Sequence, residues 1–167
     1  NTACITTADL SHGQMAGPPG HWPSIGREPV IASVVAMLGG AGRARQALIR
    51  APLGGGKSRC LDDITEVLEA RGRTVRRIHA SSTLQSVPFG AVAHLLPAGA
   101  RETGDPVALI GALRDVLATG GSAAPVVLID DLPWLDVATA GVVASLVTTG
   151  EIRLVAGARS GETLPMP

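Results

Sequence analysis

The chain has 167 residues, 46% of them apolar, with 14 acidic residues against 14 basic ones. That length and apolar content describe one globular domain and exclude a disordered chain. Zero net charge argues against a nucleic-acid surface within these residues, because phosphate contacts dominate such affinity. Tyr is absent and Phe occurs once, so Ala, Val, Leu and Ile must build the core. Cys4 and Cys60 form no metal-spaced or redox pair. There is no signal peptide and no membrane-length apolar run, so the expectation is a cytoplasmic protein with no membrane partner.

Residues 1–22 are polar and rich in Gly and Pro, and read as a flexible leader to a domain over 23–167. Gly26-Arg27-Glu28-Pro29 opens a helix with Val30, Ile31, Val34, Val35 and Leu38 on one face, ended by Gly39-Gly40. Gln46 to Ile49 reads as a strand and Ser58 to Ala70 as a helix with Leu61, Ile64 and Leu68 as its stripe. Thr74 to Ala80 is a second strand, less buried because of Arg76 and Arg77. Phe89 to Leu96, bounded by Pro88 and Pro97, is a short helix. Pro106 to Ala118 is a longer one, burying Leu109, Ile110, Leu113, Val116 and Leu117.

Pro125-Val126-Val127-Leu128-Ile129 is continuously apolar, as expected of a strand covered on both faces. A helix over Val137 to Thr148 follows, with Asp136 as its N-cap, and then a strand over Ile152 to Ala158. Strands alternating with helices predict an α/β fold with a mainly parallel sheet. Ligands in such sheets bind at the carboxyl ends of the strands.

The chemistry-bearing residues fall at those ends. Ala51-Pro52-Leu53-Gly54-Gly55-Gly56-Lys57-Ser58 lies between a strand and a helix, as a phosphate-cradling loop requires. Gly54, Gly55 and Gly56 remove the Cβ atoms that would keep the backbone from a phosphate chain, and the helix N-terminus points at the anion. Lys57, the one lysine in the chain, supplies a compact charge, and the Ser58 hydroxyl a ligand for Mg²⁺. Asp130 and Asp131 leave the apolar strand together: the first suits Mg²⁺, the second an attacking water. Arg159 ends the last strand, where its planar fork could reach a terminal phosphate. A dinucleotide fingerprint fails, since Arg59 stands where the third glycine would be.

Ile25-Gly26-Arg27-Glu28, the loop, Val126 to Asp131 with Trp134-Leu135-Asp136, and Leu154 to Glu162 occur in a telling order. Together with Val87-Pro88-Phe89-Gly90 and His94-Leu95-Leu96-Pro97, they resemble the N-terminal nucleotide-binding domain of large LuxR-type transcriptional regulators. These belong to the STAND branch of AAA-like P-loop ATPases. The resemblance spans about Ser24 to Pro165. It implies a three-layer P-loop NTPase fold, truncated here before its last core strand and helical lid. It also implies an ATP- and Mg²⁺-dependent regulatory switch that hydrolyses ATP slowly. By that resemblance Gly26 and Arg27 lie near the adenine or ribose, and Ala51 and Gly54 to Ser58 bind the phosphates. Ser58 and Asp130 serve the metal, Asp131 acts on water, and Arg159 senses the γ-phosphate. Lys57, Asp131 and Arg159 are thus the catalytic candidates.

DNA would be contacted only through a domain outside this chain, and the full-length protein could self-associate. Three departures stand out: Ala51 in place of the first loop Gly, Pro133 where the family usually has His, and Val30 where an acidic residue is common. A P-loop kinase acting on a small molecule and a nucleotide-binding module without turnover remain the alternatives.

Overall fold

The computed structural model describes residues 2–6, 27–39, 44–103, 105–121 and 123–162. Five parallel strands form one sheet: β1 (Thr2–Thr6), β2 (Gln46–Ala51), β3 (Val75–His79), β4 (Val126–Asp130) and β5 (Arg153–Arg159). Their order across the sheet is β1-β2-β5-β4-β3. The helices are α1 (Glu28–Gly39), α2 (Lys57–Ala70), α3 (Ala98–Thr103), α4 (Pro106–Ala118) and α5 (Val137–Thr149).

The unbroken apolar runs have a direct explanation, since successive residues of a strand serve opposite faces. Ala47, Ile49, Val126, Leu128 and Val155 pack with Val34, Val35 and Leu38 of α1 and with Leu61, Ile64 and Leu68 of α2. Leu48, Ile78, Val127, Ile129, Leu154, Ala156 and Ala158 pack with Leu113 and Leu117 of α4 and Leu146 and Val147 of α5. The fold is therefore a three-layer α/β sandwich with one core on each side of a parallel sheet. Burying each of the α2 leucines contributes about 1.5–3 kcal/mol. Arg76 and Arg77 sit on edge strand β3, where Arg77 pairs with Asp62 of α2 and Arg76 donates to the Val116 carbonyl of α4 (3.3 Å).

Three expectations need correction. The segment 1–22, read as a flexible leader, contains a strand: Thr2–Thr6 pairs in parallel with β2, Thr2 opposite Gln46 and Thr6 opposite Arg50. An edge strand needs one backbone partner and no continuous apolar run, so apolar patterning gives it no signature. Among the described residues the sheet accordingly has five strands where the sequence pattern showed four.

The Phe89 to Leu96 helix is reduced to a 3-10 turn at Gly90–Val92, and α3 follows it separately. Phe89 takes a left-handed backbone (φ 60°), and its N–H is donated to Asp136 instead of a helix ladder (2.9 Å). Finally, Ile110 is 44% exposed, because the groove between α4 and α5 is open there.

Candidate functional site

The loop after β2 begins without strain. Ala51 is the buried last residue of the strand and is not among the residues with positive φ, so it fits where the pattern opens with glycine. Gly54 (φ 75°) and Gly56 (φ 72°) do need the left-handed region. At Gly55 a Cβ would lie 3.0 Å from the Pro52 carbonyl oxygen and 3.1 Å from the Ala51 Cβ. Gly56 is the N-cap of α2 and supplies no side-chain cap to the first-turn N–H groups. These groups and Lys57 border a cavity of about 290 Å³, lined by Pro52 to Arg59, Asp131 and Arg159.

Strand order decides what meets there. β5 lies between β2, which leads into the loop, and β4, which ends in the acidic pair. Lys57 spans that gap, and its ammonium bridges the carboxylates of Asp130 and Asp131, the latter at 2.9 Å. The Lys57 side chain is only 10% exposed. Burial works to lower the Lys57 pKa, but the hydrogen bonds and charges of Asp130 and Asp131 outweigh it and hold the ammonium above its ordinary range. Burial likewise works to raise the Asp130 pKa. Hydrogen bonds from Lys57 and the Ser58 hydroxyl, with the nearby charges of Lys57 and Arg77, keep it below the usual carboxylate range instead.

Asp131 stands at the turn after β4 with a left-handed backbone (φ 55°, ψ 53°), a conformation that Asp tolerates better than most residues. Arg159 ends β5 opposite Ala51, and the Ser160 N–H donates to the Ala51 carbonyl (3.0 Å), which ties the ends of β2 and β5 together beside the loop. Lys57, Asp130, Asp131, Ser58 and Arg159 are thus brought to one place.

Arg27 reaches it too. A Cβ at Gly56 would collide with the Arg27 guanidinium, so that side chain lies directly against the glycine loop. Its Nε is buried and has no hydrogen-bond partner among the described residues. Gly26 lies outside the described residues. Cys60, one turn into α2, is buried, and burial pushes its thiol up to about 11 although Arg27 pulls the other way. That makes it an inert core residue.

Two neighbours of the acidic turn have structural parts. Asp136 is buried and caps α5, accepting from the Thr139 N–H (2.9 Å) and hydroxyl (2.8 Å) as well as from Phe89. Trp134 packs against the core on the α4 and α5 side. Sequence reasoning passed over Gly157 of β5, which lies beneath the Lys57 stem; a glycine inside a buried apolar strand was the available signal.

Ser58 and Asp130 present hard oxygen donors, which suit Mg²⁺. No cluster of three or more His, Cys, Asp or Glu among the described residues could hold a metal ion. Two protein oxygens fit an ion that takes its remaining ligands from phosphate and water. Among the described residues no helix is long and apolar enough to cross a membrane. No family model matches the chain, and no curated protein matches it.

Proposed function

We propose that the chain binds ATP with Mg²⁺ at the cavity over the glycine loop and acts as a nucleotide-dependent regulatory switch that hydrolyses ATP slowly. One observation carries the reading: Lys57 from the loop and Asp130 and Asp131 from β4 converge across β5 on a cavity that Arg159 also lines. A Gly-rich turn, a lysine, a hydroxyl and a carboxylate are the parts that phosphoryl transfer uses for positioning and charge stabilisation.

Lys57 pairs with both Asp130 and Asp131. A polyphosphate arriving at the loop gives the Lys57 ammonium a new partner and frees the Asp130 carboxylate. Ser58 and Asp130 would then hold Mg²⁺, whose charge neutralises phosphate oxygens. Asp131, which lines the same cavity from its left-handed turn, would suit the orienting of water. Arg159 supplies a fork of donors from the third strand end, and Arg27 a further cation on the loop.

The likeness to LuxR-type regulators supports placing this switch in a cytoplasmic transcription regulator that meets DNA through another domain. The test is direct. Lys57→Ala is expected to weaken Mg·ATP binding about ten- to a hundredfold, the worth of one charge-assisted contact, measured by calorimetry. Unchanged affinity sinks the assignment.

A further inference from the structure

Parallel pairing sets Gly157 opposite Ile49 of β2 and sets its neighbour Ala156 opposite Ile129 of β4, one residue short of Asp130. Val155 faces the α2 side, while Ala156 and Ala158 face the opposite core, so Gly157 points at α2. A Cβ there would lie 2.8 Å from Cδ and 3.0 Å from Cγ of Lys57, and 3.2 Å from Cδ1 of Leu61. The Lys57 stem has little room to yield. Its backbone starts α2, and its far end is held by two carboxylates.

We propose that Gly157 is a positioning residue: its missing side chain opens the one crossing over β5 by which the loop lysine reaches the carboxylates of β4. Strand order makes this necessary, because the two halves of the site belong to strands that are not neighbours. A side chain at 157 lifts Lys57 off the strand and separates the ammonium from Asp130. The significance for nucleotide binding rests on the function proposed above, but the geometry does not.

Lys57 is the single lysine of the chain, so an amine-reactive ester reports on it alone beside the α-amino group, resolved by mass spectrometry. In the wild-type protein the buried, paired ammonium acylates slowly at neutral pH. In Gly157→Ala the rate rises several-fold relative to the α-amino group, and Mg·ATP affinity falls about tenfold. A folded Gly157→Ala protein with the wild-type acylation rate overturns the proposal.

Should Gly157→Ala fail to fold, the double variant Lys57→Ala/Gly157→Ala decides. Removing the lysine stem leaves space for the new methyl group, so the double variant is expected to melt like Lys57→Ala alone. If it is as unfolded as Gly157→Ala, the collision is not with Lys57 and the proposal fails. If wild-type protein binds no Mg·ATP, the nucleotide reading falls, while acylation and melting still decide the role of Gly157.

Discussion

At the scale of single residues, the site is a small charge balance in a half-dry place. Lys57 and Asp130 each lose water, and the partners around them together outweigh that burial: Asp130 and Asp131 for the ammonium, Lys57, Ser58 and Arg77 for the carboxylate, which is why their pKa values move in opposite directions. Both shifts act on stability, and their signs differ. Asp130 has a folded pKa below its ordinary 3.8, so its contribution is present above that value and is lost as pH falls through the folded pKa. Lys57 has a folded pKa above 10.5, so its contribution is present below that value and is lost as pH rises through the folded pKa. The pair therefore adds a constant stability from about pH 5 to about pH 9. Urea unfolding of wild-type protein and Asp130→Asn across pH should give a difference that is flat in this window and shrinks in acid. A difference that grows below pH 4 would contradict the ion pair.

The elements show how a few side chains aim the site. The acidic turn is fixed from behind by Asp136, which joins the start of α5 to the segment after β3 through Phe89, and by Gln85, which donates to the Pro133 carbonyl (3.0 Å). Asp136→Ala removes an N-cap, worth about 1 kcal/mol, and leaves the buried Phe89 N–H without an acceptor, at about 1–3 kcal/mol. The expected loss is about 2–4 kcal/mol by chemical denaturation, whereas Asp136→Asn keeps an acceptor oxygen and should lose less. Equal losses for the two variants would mean that the charge, and not the accepted hydrogen bonds, matters. Pattern along the chain revealed this cap, since Asp136 precedes an apolar helical stretch. Its second acceptance, from a residue 47 positions earlier, has no local signature.

For the whole molecule, the parallel sheet places Lys57, Ser58, Asp130, Asp131 and Arg159 on one side, at the carboxyl ends of β2, β4 and β5. β1 closes the side of the sheet next to the loop strand. Removing residues 1–6 would leave β2 with an unpaired backbone edge, which invites pairing with another chain. That shortened protein is expected to melt at a lower temperature than the full chain and to self-associate with rising concentration in sedimentation. If it matches the full chain in both, β1 does not protect β2.

The sequence by itself determined the strand-loop-helix around Lys57, the apolar strand running into Asp130-Asp131, and the alternation that makes an α/β fold. Each of these is written in neighbouring residues, as spacing, apolar runs and glycine content. It also located Arg159 at a strand end. Tertiary structure alone decided that β5 separates β2 from β4, that Lys57 must therefore pass over Gly157, that Arg27 rests on the loop, and that Thr2–Thr6 pairs beside β2. Those facts depend on strand order and register, which arise from contacts between residues far apart in the chain. Apolar periodicity says which faces are buried but not which strands lie side by side.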